Sequence, residues 1–395
     1  MGGQDMNVDR TIYFDNAATS FPKPEAVTTA VTNYMTVAGG NPGRSGHRLS
    51  IEAGEIVFSA RQAMADLFGV ANPMRVICAF NATDAINQAI QGVLRQGDHV
   101  VTTSMEHNST ARPLKELEKS GLISLSVVRC GTGGHMDIHD MTGAITAKTR
   151  MVVVNHGSNA FGTVQPIGEM GRICREREIV FLVDAAQTAG IVPINMKDDG
   201  IDLLAVAGHK GLYGPTGTGA LIIADDFDHT TIRPLRYGGT GSLSDRIEQP
   251  EFLPDCFESG TLNTAGLAGL AAGLDFLAGY KGGLRGIMEH KKKLVHHFLE
   301  RAAKNVAGFT GYVSSDDIIT GVVSFNLQGR SSSEVAQFLS DDYNIMCRAG
   351  LHCAPLAHET MGTFPAGTVR FGFGLFNTTD EIDTAIEALN RLGLS

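Results

Sequence analysis

No apolar run in this chain reaches membrane-spanning length, and none of its six cysteines stands in a CxxC pair. The first absence argues against a transmembrane anchor. The second, with Cys78, Cys130, Cys174, Cys256, Cys347 and Cys353 scattered along the sequence, argues against a disulfide framework or a structural zinc site. Positive charge is also in short supply. Thirty-two Lys and Arg face 42 Asp and Glu, and the formal net charge of −10 disfavours nonspecific binding to nucleic acid or anionic membrane. Repeats, low-complexity tracts and disordered linkers are lacking. The polar start MGGQDMNVDR does not carry a secretory pattern, so the cytoplasm is the expected compartment.

What is present fits a large enzyme. At 395 residues the chain can bury a sizeable core, and two domains are expected. The 47 glycines point to many tight turns and close backbone approaches. From about residue 75, short apolar runs alternate with helical patterns. Strands are expected at 75–80, 99–104, 122–128, 151–156, 179–185, 203–208 and 219–224. Helices are expected at 26–37, 83–94, 109–121 and 166–178. Near-continuous apolar strands between helices imply an α/β fold, its mostly parallel sheet covered on both faces. After about residue 262 the pattern becomes helix-rich, with an amphipathic helix near 284–305, a strand at 321–329, a helix near 332–342 and a strand at 369–376. This reads as a smaller α+β domain. The expected organisation is an N-terminal segment 1–25 packing with the small domain, a large domain 26–262 and a small domain 263–395 that carries the Cys353 loop.

Ligands of open α/β sheets sit at the carboxyl ends of the strands. The unusual polar residues gather at those ends: Asn81 to Asp84, Glu106-His107, Asn155 to Asn159, Asp184 to Gln187 and Gly208 to Lys210. In AGHKGLYGPTGTG, Lys210 follows a buried strand. A desolvated lysine has a lowered pKa and can form a Schiff base, whereas an isolated loop lysine is ordinarily a solvated surface group. Asp184 ends the strongly apolar strand IVFLVDA. A buried carboxylate needs a cationic or hydrogen-bonding partner. A protonated pyridine nitrogen supplies one and turns the ring into an electron sink. Alone, Asp184 reads better as a helix N-cap; the pairing with Lys210 after the next strand reverses that preference in favour of pyridoxal phosphate.

NATDAIN opens a helix directly after a strand, so its amides and the Thr83 hydroxyl suit a phosphate, while Asp84 either joins that site or caps the amides. His107 can stack on a ring or serve as a polar loop residue. Asn159 and Gln187 are neutral donors for a phenolic oxygen. Cys353, in CRAGLHCAPLAHE, has Arg348, His352 and His358 near it in sequence, and cationic neighbours favour the thiolate; an isolated cysteine is otherwise a buried structural group. His352 and Cys353 lack a second pair at ligand spacing, so no metal is expected. Arg370, in TVRFGFG, suits bidentate binding of a substrate carboxylate or a structural salt bridge.

From about residue 11 to residue 384 the chain resembles the class V aminotransferase-fold family. FDNAATSFPKP, GRSGHRLS, NATDAIN, MEHN, SNAFGTVQPI, VDAAQ, GHKGLYGPTGTG, ESGTLNT, RAGLHCAP and VRFGFGLFNTTDEID carry the likeness. Its group II cysteine desulfurase and selenocysteine lyase branch is the nearest, and RAGLHCAP is the more specific pointer. The resemblance implies pyridoxal-phosphate fold type I, with Lys210 as the cofactor-bonding lysine and Asp184 as partner of the ring nitrogen. It implies His107 as the stacking histidine, and Asn159 and Gln187 as contacts to the cofactor oxygen. Thr83 and His209 match phosphate contacts. Cys353 matches the sulfur-accepting cysteine and Arg370 the carboxylate clamp, with His47 and Arg348 near the same pocket. The GGTG stretch, with Thr240, matches a segment that reaches the partner subunit's cofactor, so a homodimer is implied. One position departs: where the family commonly has Ser or Thr two residues before the motif's His, this chain has Ala207.

The expected reaction is desulfuration of L-cysteine to alanine, with sulfur passed through Cys353 to an acceptor protein. Selenocysteine lyase, cystine C–S lyase and aminotransferase activities use the same kind of site. A nonenzymatic or nucleotide-binding α/β protein is the reading from a different class.

Overall fold

The computed structural model describes residues 11–43, 45–312 and 320–394. Residues 1–10 of the expected N-terminal segment, and Arg44 of the GRSGHRLS motif, lie outside the described residues. The chain begins with β1 (Ile12–Tyr13), α1 (Glu25–Thr36) and α2 (Arg48–Phe68). An alternating series follows: β2 (Val76–Ala79), α3 (Ala82–Val93), β3 (Asp98–Thr103), α4 (Asn108–Lys119), β4 (Ile123–Val128), α5 (Ile138–Ala144), β5 (Thr149–Asn155), α6 (Ile167–Glu176), β6 (Val180–Asp184), β7 (Leu203–Ala207) and β8 (Gly219–Ile223). The remainder is α7 (Thr264–Ala278), α8 (Gly283–Asn305), β9 (Phe309–Gly311), β10 (Val322–Leu327), α9 (Ser332–Tyr343), β11 (Ile345–Met346), β12 (Arg348–Gly350), α10 (Pro355–Thr360), β13 (Thr368–Gly372) and α11 (Thr379–Leu394).

The central sheet has seven strands in the order β2-β8-β7-β6-β5-β3-β4. All pairings are parallel except the two made by β8, which runs antiparallel to both neighbours. The apolar strands form because both faces are covered. Val152 and Val154 of β5 enter one core with Phe181, Val183, Leu204 and Val206, while Met151 and Val153 enter the opposite core with Leu182, Leu203 and Ala205. This is the two-residue periodicity of a strand buried on both sides. On α3, Ala85, Ile86, Ala89, Ile90 and Val93 form one buried face against the sheet. Burying Ile86 and Ile90 contributes about 1.5–3 kcal/mol each.

The second core lies in a four-stranded antiparallel sheet, β12-β13-β10-β9, packed with α8, α9 and α11. β1 pairs in parallel with β11, and Phe14 is buried among Phe371, Phe373 and Leu294, so the beginning of the chain joins this body. α7 lies beyond the 262/263 boundary expected from the sequence, yet it packs on α1 and α2 and buries Leu267, Leu270, Leu274 and Leu277 in the large core. Its apolar residues surround the helix instead of forming a stripe, which suits a helix enclosed by others. Among the described residues, no helix is long and apolar enough to cross a membrane.

Candidate active site

Strands β2, β3, β5, β6 and β7 run parallel, so their carboxyl ends share one edge of the sheet. A cavity of about 430 Å³, counting its mouth, opens there. Thr83, His107, Asn159, Asp184, Gln187, His209 and Lys210 all line it, as do Ser109, Asn155 and Ala207. Seven expected site residues therefore converge although they span 128 positions, from residue 83 to residue 210.

Lys210 is reached by a turn that only glycine allows. A Cβ on Gly208 would lie 2.1 Å from Thr218 Oγ1. The N-terminal segment grips the same turn: the His209 carbonyl accepts from the Ser20 amide at 3.1 Å and from Lys23 Nζ at 2.8 Å. Desolvation lowers the Lys210 ammonium to about 8, against a partial pull upward from Asp184 and a further downward push from Arg370 and Arg348. Neutral amine is thus available near neutral pH.

Asp184 is buried at the end of β6. Its Oδ1 accepts from the Ala186 amide at 2.9 Å and its Oδ2 from Ser109 Oγ at 3.3 Å. Burial pushes this carboxyl above the usual range, and among the described residues no cation hydrogen-bonds it. His107 is the N-cap of α4, and its Nδ1 accepts from the Ser109 amide at 3.0 Å. Desolvation lowers His107 to about 4, and nearby Lys210, Arg348 and Arg370 add to the effect, so the ring is neutral at physiological pH. His209 is lowered to about 4 as well, mainly by desolvation.

The residues fit pyridoxal phosphate. A buried carboxylate with no hydrogen-bonded cation among the described residues suits a protonated ring nitrogen, and a lysine of reduced basicity suits an aldehyde. The α3 N-terminus with Thr83 suits a phosphate. His209 Nδ1 and Asn159 Oδ1 are buried polar atoms without hydrogen-bond partners among the described residues. Asn159 Nδ2 donates to the His352 carbonyl at 2.6 Å and Gln187 Nε2 to the Ala17 carbonyl at 2.9 Å. Each amide nitrogen retains a second hydrogen.

Other expected residues stand differently. Asp84 faces Arg236, at 2.7 Å, and the Phe80 amide, at 3.0 Å, and does not line the cavity. The capping alternative is not met by Asp84 either: Asn81 is the N-cap of α3, and its side chain accepts from the Asp84 amide at 2.9 Å. His47 is an exposed N-cap of α2 that accepts from the Ser50 amide, outside the cavity lining. Thr240 contacts Ser242 at 3.1 Å, also outside it.

Cys353 is exposed on the loop between β12 and α10, where His352 and Cys353 have φ of 50° and 57°. Two successive side-chain-bearing residues in the left-handed region cost about 1–3 kcal/mol each. The Cys353 carbonyl accepts from the Asn108 amide at 2.8 Å, which docks the loop on α4. Arg348 Nη2 lies 3.5 Å from Cys353 Sγ. A broad cleft of about 1410 Å³, open to solvent, is lined by Cys353 together with Thr83, His107 and Ser109, which also line the inner cavity. Arg370, on β13, is 1% exposed and bonds Asp15 and the Asn159 carbonyl. Among the described residues, no group of three His, Cys, Asp or Glu could hold a metal ion.

The sequence reading missed Ser109, which lies 2.8 Å from His107 Nδ1 and links it to Asp184. The HNST pattern at a helix start was a signal for it. It also gave Asp15 no role, although an acidic residue just past a short apolar strand is the same signal that singled out Asp184.

The aminotransferase class-V family model matches residues 12–385. A probable cysteine desulfurase of Methanothermobacter thermautotrophicus is 34% identical over 391 residues, 96% of this chain and 94% of the relative. A cysteine desulfurase of Haloferax volcanii is 30% identical, over 98% and 91%. The apo cysteine desulfurase of Thermococcus onnurineus superposes with a TM-score of 0.90 at 33% identity, covering 100% of both chains. The cysteine desulfurase of Escherichia coli determined with an S-sulfonic acid gives 0.85 at 26%, covering 97% of this chain and 94% of that one.

Proposed function

The chain belongs to the aminotransferase class-V family, and on that premise we propose that it is a pyridoxal-phosphate-dependent cysteine desulfurase that converts L-cysteine to L-alanine. The observation that carries this reading is the junction of two compartments. Lys210 and Asp184 share an inner cavity, and Cys353 lines an adjoining cleft that has His107 and Ser109 in common with it. A reaction that delivers an atom from the inner site to a protein thiol uses both.

When bound, pyridoxal phosphate supplies a cationic ring that withdraws the electron pair released at the substrate Cα. Lys210 holds the cofactor through its amine, and Asp184 keeps the ring nitrogen protonated. Thr83, His209 and the α3 amides hold the phosphate, while His107 covers the ring as a neutral imidazole. Asn159 and Gln187 supply amide N–H groups to the phenolic oxygen. Arg370 binds the substrate carboxylate. Once freed, the Lys210 amine would be the base placed to take the substrate Cα proton and to give a proton back. The Cys353 thiolate attacks the substrate sulfur as the Cβ–S bond breaks; that bond's electron pair stays with the carbon skeleton, which takes up protons and leaves as alanine, and the sulfur remains on Cys353 as a persulfide for transfer to an acceptor protein. Arg348, beside that sulfur, offsets its negative charge.

The working form is a homodimer in the cytoplasm, with Thr240 reaching the partner's cofactor. Support comes from exposed apolar side chains around that segment, with Phe80, Tyr237 and Ile247 54%, 69% and 99% exposed. The test is incubation with L-cysteine, with and without reductant, followed by assay of alanine and protein-bound sulfur. Equal alanine and sulfur, with the sulfur on Cys353, is expected. Pyruvate with a free thiol species, or a keto acid, overturns the assignment in favour of C–S lyase or aminotransferase chemistry.

A further inference from the structure

Arg370 is not among the residues that line the inner cavity, but it meets the wall of that cavity at Asn159, and it does not stand alone there. Asp15 follows β1 and bridges in parallel to Gly372, two residues beyond Arg370 on β13. Asp15 Oδ1 accepts from Arg370 Nη2 at 2.5 Å, while Arg370 Nη1 donates to the Asn159 carbonyl at 3.0 Å. Arg370 Nε is buried and has no hydrogen-bond partner among the described residues. The guanidinium is therefore anchored at both terminal nitrogens by two different segments. Its plane is fixed, and its Nε–H is left for another acceptor. Nη2 carries a second hydrogen, so the Nε–Nη2 edge can still receive a carboxylate side-on with Asp15 in place.

The counter-charge matters as much as the anchor. Arg370 is 1% exposed, and an isolated buried guanidinium is costly. Arg348 adds a second positive charge nearby, and both arginines act on Lys210 and His107. Asp15, whose side chain is 20% exposed, is the carboxylate that offsets this pair. Asn159 connects the arrangement to the cavity, since its carbonyl holds Nη1 and its side chain lines the inner wall.

We propose that Asp15 is a positioning residue for the substrate carboxylate: it holds Nη2 and so fixes the Arg370 fork with the Nε edge open to the substrate. This rests on the cysteine-desulfurase reading. The N-terminal segment is then part of substrate recognition.

The test uses the holoenzyme and L-alanine, the product, which has the carboxylate and amine but no sulfur to lose. Binding is followed by the change in cofactor absorbance, and turnover by alanine release from L-cysteine. Asp15→Ala should weaken L-alanine binding and raise KM for cysteine about tenfold, with kcat within about threefold and the resting absorbance unchanged. Asp15→Asn keeps an acceptor for Nη2 and should recover most of the loss. Unchanged or tighter L-alanine binding in Asp15→Ala overturns the proposal, as does loss of bound cofactor, which would mark a structural role. A wild-type enzyme that neither responds to L-alanine nor releases alanine from cysteine overturns the underlying reading instead.

Discussion

Arg348 Nη2 and Cys353 Sγ lie 3.5 Å apart at the lip of the candidate site. This contact ties the loop that carries the thiol to β12. Cys353→Ser should abolish protein-bound sulfur and leave cofactor absorption intact. Arg348→Gln should slow sulfur transfer about tenfold, in line with a charge-assisted contact. Mass spectrometry of the protein after a single turnover reads both. Persistent sulfur transfer in Cys353→Ser removes the thiol from the mechanism.

The acid–base setting gives a second expectation. Lys210, lowered to about 8, attacks the cofactor aldehyde only as neutral amine. Reconstitution of apoprotein should therefore accelerate with pH, roughly tenfold per unit below 8, and level off above it. His107 and His209, each lowered to about 4, stay neutral over this range and should add no step near the ordinary histidine pKa. Stopped-flow absorbance checks this. A rate independent of pH between about 6.5 and 9 would show that the amine is not limiting.

Ala207 lines the cavity where a hydroxyl is common in the family resemblance. A new hydroxyl contact to phosphate contributes about 0.5–1.5 kcal/mol. Ala207→Ser should then slow cofactor dissociation between about twofold and tenfold. Equal dissociation from both proteins would show that the missing contact is replaced by others.

Glu106 supplies a stability test. Its carboxyl is fully buried; Oε1 accepts from Thr103 Oγ1 at 2.7 Å and the Asn155 amide at 3.0 Å, while Oε2 has no partner among the described residues. Burial raises it to about 8, and Asp184 pushes in the same direction. A raised carboxyl pKa means the folded state holds a proton that the unfolded state releases. This contribution is present at low pH and is lost as pH rises through about 8. Glu106→Gln, which cannot ionise, should lose less Tm than wild type between about pH 5 and pH 9. Parallel Tm profiles would mean Glu106 is ionised throughout.

Much of this was legible in the sequence. The strands from β2 to β8 lie within about two residues of the apolar runs that announced them, because strands covered on both faces must be apolar. The convergence of Thr83, His107, Asn159, Asp184, Gln187, His209 and Lys210 followed from placing them at strand ends. Less visible was α2, whose 21 residues went unassigned between the marked motifs, although His47 and Gly69 cap it. The antiparallel direction of β8 was also hidden, since GALII reads alike either way and only the short connection from β7 bears on it. Asp84 was drawn to the phosphate by its position in a helix start, but Arg236, 152 positions away, claims it. No local pattern announces such a partner. The Asp15–Arg370 pair spans 355 positions and was invisible for the same reason.

Thr83, His107 and Ser109 line both the inner cavity and the open cleft, so the two spaces meet at these residues. A thiol on the cleft side would take sulfur outward while the three-carbon product stays in the inner cavity, so the two products separate as they form. Carbon and sulfur would then depart by different doors, and an acceptor docked over the cleft need never obstruct the amino acid's path.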